Sequence, residues 1–140
     1  MMQRVHLITL GVEDLDRAAT FYDALGWSRE DTPGEVVAYN LYGATLGLFP
    51  RHMLAAEQGR DLPRGSGAMT LACNVRDRDE IDGVIDAARA AGATIIRAPF
   101  DTDWGGRSSY FEDLDGHVWE CAWNPFSPPG PEGQFQWGGA

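Results

Sequence analysis

A chain of 140 residues that is 44% hydrophobic can bury one ordinary core, or two small half-cores leaning on each other, and a single domain over 1–140 is the simplest expectation. Its formal net charge of −10, with 21 acidic against 11 basic residues and no basic cluster to offset it, repels phosphate backbones and anionic lipid surfaces, so neither nucleic acid nor membrane is expected as a partner. No segment approaches the ~20 apolar residues that span a bilayer; with no long apolar run at Met-Met-Gln-Arg-Val-His, the chain reads as cytoplasmic.

Val5 to Val12 is β-branched and apolar enough for a buried strand. Asp14 then fits a helix N-cap, because Leu15, Ala18, Phe21, Tyr22 and Leu25 recur behind it at helical spacing and Gly26 offers the left-handed residue that ends helices. The turn Asp31-Thr32-Pro33-Gly34 leads into a strand pair, Glu35 to Leu41 and Ala44 to Phe49, around Tyr42-Gly43. Residues 4–49 thus make a first β-α-β-β module, with room near Ser28 for a further strand.

Residues 50–66 hold two prolines, no strand pattern and only a short helical patch, and read as a linker. A second module, 67–124, repeats the plan. Met69 to Val75 is a strand, and Asp77 with Glu80 three residues later is a capping box before Ile81, Val84, Ile85, Ala88 and Ala91, with Gly92 closing the helix. Thr94 to Arg97 is a short strand, and Asp101 to Gly106 is a glycine-rich loop. Ser108 to Glu112 and His117 to Trp123 flank the turn Asp113-Leu114-Asp115-Gly116, where glycine permits the positive φ of a tight hairpin. Residues 125–140 carry four of the eight prolines and no periodic pattern, and read as an irregular arm. Cys73 and Cys121 form no zinc spacing and are too few for a disulfide framework; both are expected as buried thiols on the helix-facing side of their strands. His117 is expected as a solvated turn residue.

The duplication is visible in particular residues: Val12-Glu13-Asp14 matches Val75-Arg76-Asp77, and Gly43 matches Gly116. With Gly-Val-Glu-Asp-Leu-Asp-Arg-Ala-Ala-Thr-Phe-Tyr after the first strand and Tyr-Phe-Glu-Asp-Leu-Asp-Gly-His-Val-Trp-Glu in the last hairpin, the chain resembles the vicinal oxygen chelate superfamily over residues 4–124. This is the group of glyoxalases, bleomycin-resistance proteins and extradiol dioxygenases. The resemblance implies an α+β fold of two βαβββ modules whose mixed sheet forms a cup, often through a homodimer. It also implies, for the enzymes of the group, a divalent metal held by four side chains on the inner strands. Carried onto this sequence, those four positions are Leu7, Gly47, Thr70 and Glu120.

Only Glu120 is a strong donor, and one carboxylate plus a neutral hydroxyl falls short of the three or four ligands of a catalytic zinc or iron site. No metal and no other cofactor is therefore expected. His6 lies beside Leu7, but side chains alternate along a strand, so His6 should face the helix with Ile8 and Leu10 while Leu7 and Thr9 face the cup. Glu120 has two readings. Paired with an arginine or capped by backbone amides it is scaffold; desolvated in a cup with Leu7, Thr9, Thr70 and Ala72 it is a general base or a ligand anchor.

Trp104, in the glycine-rich loop, is placed either at the mouth of the cup as a clamp for a ligand or against the other module. Asn40, Asn74, Thr9 and Thr70 are the polar groups that would orient a ligand in a mostly apolar pocket. Two functions follow from this inventory. One is a metal-independent binder of a small organic molecule, as in the antibiotic-sequestering branch of the superfamily. The other is an enzyme of the same superfamily, a lyase, isomerase or dioxygenase, that uses Glu120 as base or metal ligand.

Overall fold

The computed structural model describes residues 1–139, and the chain divides into two compact units, one up to Arg64 and one from Gly65 onward. The fold is α+β, with a three-stranded sheet in the first unit and a four-stranded sheet in the second.

In the first unit β1 (Leu7–Val12) leads into α1 (Leu15–Ala24), followed by β2 (Val37–Asn40), β3 (Thr45–Pro50) and α2 (Arg51–Gln58). The helix starts where the sequence predicts, because the Asp14 carboxylate accepts the Arg17 backbone N–H at 2.9 Å and satisfies an otherwise orphaned donor. The strand order is β1-β3-β2, with β1 parallel and β2 antiparallel to β3. Leu10, Val12, Tyr39, Leu46 and Leu48 share the face that α1 covers with Phe21 and Tyr22, and all are fully buried. Inside this core the Tyr39 hydroxyl donates to the Ala19 carbonyl at 3.0 Å and to Asp23 Oδ1 at 2.9 Å.

The expected strand near Ser28 does not form. Trp27 instead packs its ring on Tyr22 and Tyr39, and Thr32 closes a local turn by donating to the Val36 carbonyl. A single backbone bond, Glu30 N–H to the Ala38 carbonyl at 2.8 Å, is made where a fourth strand would run. The first module is therefore β-α-β-β among the described residues. The helical patch of the 50–66 segment is a full helix, α2, closed by Gly59 at φ 69°. Its Arg51 and Leu54 lie over Gly11, where a Cβ would meet the Leu54 side chain at 3.3 Å.

The second unit is a complete βαβββ module: β4 (Leu71–Val75), α3 (Glu80–Ala90), β5 (Thr94–Asp101), β6 (Arg107–Glu112) and β7 (Val118–Trp123). The order is β4-β7-β6-β5, with β4 parallel to β7 and the other pairs antiparallel. Only the glutamate half of the predicted capping box forms: the Asp77 N–H donates to Glu80 Oε1 at 2.8 Å, while Asp79 holds the N-cap position without a side-chain bond. Ile81, Ile85 and Ala88 of α3 are buried, and the helix lies over β5, β6 and β7.

That placement corrects one cysteine. Cys121 on β7 is buried, but Cys73, its register partner on the edge strand β4, is exposed. His117 is corrected too. It is buried with Asp113 and Asp115, because Asp113 Oδ1 accepts the backbone N–H groups of both Asp115 and His117 at 2.9 Å and folds the turn inward. Gly116, at φ 83°, makes the turn possible. Beyond β7 the described chain forms neither helix nor strand; Arg76 fastens it by donating to the carbonyls of Gly130 at 2.7 Å and Pro131 at 2.8 Å.

Candidate functional site around Glu120

β7 alternates: Trp119 and Cys121 are buried on the α3 side, so Glu120 points to the opposite face. Register sets its neighbours. Glu120 pairs with Ala72 on β4 and Tyr110 on β6, and Tyr110 pairs with Arg97 on β5, so one row across the sheet reads Ala72, Glu120, Tyr110, Arg97. The adjacent row reads Asn74, Ala122, Ser108, Phe100. Ser108 is 1% exposed and donates its hydroxyl to Glu120 Oε1 at 2.8 Å, which fixes the carboxylate over the sheet.

Above these rows lies a pocket of about 240 Å³, with Glu120, Ser108, Tyr110, Arg97, Phe100 and Trp104 in its wall. The Phe100 and Tyr110 rings stack with centroids 6.4 Å apart, and the Arg97 guanidinium carbon lies 3.3 Å from the Phe100 ring centroid. Burial pushes the Tyr110 phenol above its usual pKa, and the adjacent Glu120 carboxylate adds to the effect. Tyr110 therefore stays protonated at neutral pH.

The loop after β5 forms the rim. Thr102 holds it closed, with its N–H donating to the Gly106 carbonyl at 3.0 Å and its Oγ1 accepting the Gly106 N–H at 2.9 Å. The Trp104 ring then lies against Gly106, where a Cβ would fall 2.1 Å from the indole, and the residue remains 48% exposed. At the loop's start Asp101 bonds Arg78 at 2.5 Å and Arg107 at 3.4 Å; the Arg78 bond, followed by the smaller Arg107 contribution, holds the Asp101 carboxyl below its ordinary pKa.

Of the residues singled out in the sequence, Glu120 and Trp104 meet in this pocket. Ala72 flanks Glu120 on β4, Asn74 stands half-buried two residues on, and Thr70 is exposed just before the strand. Leu7, Thr9, Asn40 and Gly47 belong to the first unit. There Leu7 and Thr9 approach the open side of Gly47 on β3, and Asn40 Oδ1 accepts the Thr45 hydroxyl at 2.9 Å. Leu7 is 57% exposed, and His6, just ahead of β1, is exposed too instead of packing toward α1.

Arg97, Phe100 and Tyr110 escaped the sequence reading. Tyr110 was within reach, because a hairpin centred on Asp115 pairs it with Glu120. Arg97 was not. β5 runs from Thr94 to Asp101, longer than the expected Thr94 to Arg97, and breaks register on both sides of Arg97.

The donor set does not fit a divalent metal. Leu7 and Gly47 carry no side-chain donor, Thr70 offers a neutral hydroxyl, and among the described residues no three His, Cys, Asp or Glu side chains gather into a metal-holding group. The second unit brings together one carboxylate oriented by Ser108 and Tyr110, an exposed cation and three aromatic rings.

The comparisons with known proteins agree with this architecture. The model of the Glyoxalase/Bleomycin resistance protein/Dioxygenase superfamily matches residues 4–121. A glyoxalase-related enzyme from Fulvimarina pelagi is 34% identical, with a TM-score of 0.90 over 96% of this chain and 98% of that one. A hypothetical protein from S. aureus is 24% identical, with a TM-score of 0.80 over 89% of this chain and 95% of that one. A lactoylglutathione lyase from Agrobacterium tumefaciens shares the fold at 21% identity and a TM-score of 0.66, over 89% of this chain and 96% of that one. No curated protein matches the chain. The match across most of the sequence and the close structural likeness at 34% identity place the chain in the glyoxalase/bleomycin resistance protein/dioxygenase superfamily.

Proposed function

We propose that this protein binds a small organic molecule in the pocket around Glu120, and does so without a metal. The observation that carries the reading is the meeting of Glu120, Ser108, Tyr110 and Trp104 around one cavity. The Ser108 hydroxyl donates to Glu120 Oε1 and the Tyr110 phenol hydrogen-bonds the same carboxylate, which orients it while leaving oxygen lone pairs to accept from a ligand; Trp104 supplies a half-exposed aromatic face. Polar groups converging with aromatic rings in one recess are what a small, polar ligand needs to be oriented. Leu7 and Gly47, where the superfamily's enzymes hold donors, support a role that needs no metal.

The second reading is an enzyme of the same superfamily, a lyase, isomerase or dioxygenase with Glu120 as base. One observation favours it: a carboxylate beside a protonated phenol is an acceptor and a donor within one row of the sheet. We take the working protein to be a cytoplasmic homodimer, since a three- or four-stranded sheet is too small to bury both of its faces alone. Thermal-shift screening of small organic molecules, repeated on Glu120→Gln, tests the binding reading: hits that stabilise the wild type and lose that effect in the variant support it. Hits unaffected by the substitution contradict it. Light scattering at micromolar concentration tests the dimer.

A further inference from the structure

We infer that the molecule bound in this pocket is zwitterionic, with an ammonium or similar cationic end at Glu120 and a carboxylate or similar anionic end at Arg97. The inference rests on the proposed binding role of Glu120 and deepens it by assigning Arg97 to the site.

Glu120 and Arg97 stand in one row of the sheet, separated by Tyr110, so their Cα atoms are two strand spacings apart, about 10 Å. They carry opposite charges on one face, yet they do not pair with each other. Glu120 is held by Ser108 and Tyr110, and the Arg97 guanidinium lies 3.3 Å from the Phe100 ring centroid with no carboxylate partner among the described residues. Among the described residues, Arg97 is also the only cation in the pocket wall. Its carboxylate neighbour at the rim, Asp101, is already paired with Arg78 and Arg107, and Asp103, the remaining carboxylate of the wall, leaves the cavity more negative than positive away from Arg97.

Arg97 reaches this position through two irregularities. β5 slips register between Ile95 and Arg97 and again between Arg97 and Phe100, which sets Arg97 opposite Tyr110 and brings Phe100 beneath its guanidinium. Bulges of this kind re-aim side chains and cluster beside functional sites. Stacking on Phe100 orders the guanidinium while leaving its N–H fork able to take a planar anion. The complement of a fixed carboxylate and a fixed guanidinium with an aromatic ring between them is a molecule with its charges at opposite ends of a flat body one ring wide. The cavity of about 240 Å³ is below the about 300–1,000 Å³ of pockets for drug-sized ligands, which restricts that body to a single ring.

The test uses the full chain and three probes: 4-(aminomethyl)benzoate as the zwitterion, benzylamine as its cationic half and 4-methylbenzoate as its anionic half. By calorimetry the zwitterion binds at least tenfold more tightly than either half. Arg97→Gln weakens the zwitterion and methylbenzoate at least tenfold and leaves benzylamine unchanged, while Glu120→Gln weakens the zwitterion and benzylamine and spares methylbenzoate. Arg97→Lys keeps the charge without the planar fork and shows an intermediate loss, and melting curves of all variants confirm that they are folded. Equal binding of benzylamine and the zwitterion overturns the inference. So does an Arg97→Gln protein that binds the zwitterion normally, or no binding of any probe at millimolar concentration. If neutral molecules bind and lose affinity in Glu120→Gln while Arg97→Gln changes nothing, the role of Glu120 stands and the zwitterion does not.

Discussion

The Ser108 hydroxyl points its proton at Glu120 Oε1 across the β6–β7 ladder, 2.8 Å away, from a residue that is 1% exposed. With the Tyr110 phenol on the same carboxylate, this bond helps to hold Glu120 in one orientation. Replacing Ser108 with Ala removes a hydrogen bond to a charged group, and we expect a loss of about 1.5–3 kcal/mol in stability. Chemical denaturation measures it, and the same variant should bind pocket ligands more weakly because Glu120 is no longer held in one orientation. Unchanged stability would mean that the bond adds nothing over solvation of the two groups.

Gly106 is fixed by what lies against it. A Cβ there would meet the Trp104 ring at 2.1 Å and the Trp123 carbonyl at 2.6 Å, and the second contact is with backbone that cannot swing away. Gly106→Ala should therefore displace the loop and its indole together, costing about 1–3 kcal/mol as overpacking does. Trp104→Ala should instead leave stability nearly intact, since the side chain is half exposed, while reducing ligand affinity. Melting temperature and affinity measured on both variants separate the loop's structural role from the indole's binding role.

The buried Cys121 thiol predicts an alkaline weakness. Burial, with smaller contributions from nearby Cys73, Glu80 and Glu120, pushes its pKa up from 9.0 to about 12. A raised folded-state pKa means that above about pH 9 the unfolded chain gives up this proton while the native chain keeps it, so stability falls as pH rises from 9 toward 12. Urea midpoints between pH 8 and 11 should decline less steeply in Cys121→Ala than in the wild type. Parallel slopes would remove Cys121 as the cause.

Metal dependence is checked directly. If Leu7, Gly47 and Thr70 occupy the positions that the resemblance assigns to metal ligands, added chelator should leave the melting temperature and ligand affinity unchanged. Stoichiometric zinc, nickel, manganese or iron in tag-free protein would contradict this.

Where local chemistry alone decides the structure, the sequence was a sufficient guide. Asp14 caps α1, Gly26 and Gly92 follow the helices, and the Asp113 to Gly116 turn sets the register that carries Glu120 to its face. It was insufficient where tertiary packing competes. Ser28 lies in a segment that could extend, but Trp27 gains more by packing on Tyr22 and Tyr39, and the strand is lost. Cys73 has the same apolar strand setting as Cys121, yet α3 lies over β5 to β7 and leaves the β4 edge open. Within the site, Glu120 and Trp104 were legible from hairpin geometry and loop composition. Arg97 was hidden because its place depends on two register shifts that no period in the sequence encodes.

In the proposed function Glu120 anchors a ligand and is not scaffold. Gln keeps the size of Glu120 and can still accept the Ser108 proton, so Glu120→Gln should fold with a nearly unchanged melting temperature. A ligand that makes a charge-assisted hydrogen bond to Glu120 should lose about 1–3 kcal/mol of affinity in the variant, near tenfold or more in Kd. Measuring melting temperature and ligand affinity together on this one variant gives the most direct test. Preserved stability with weakened binding is the predicted result, and a markedly destabilised protein whose folded fraction binds normally would contradict it.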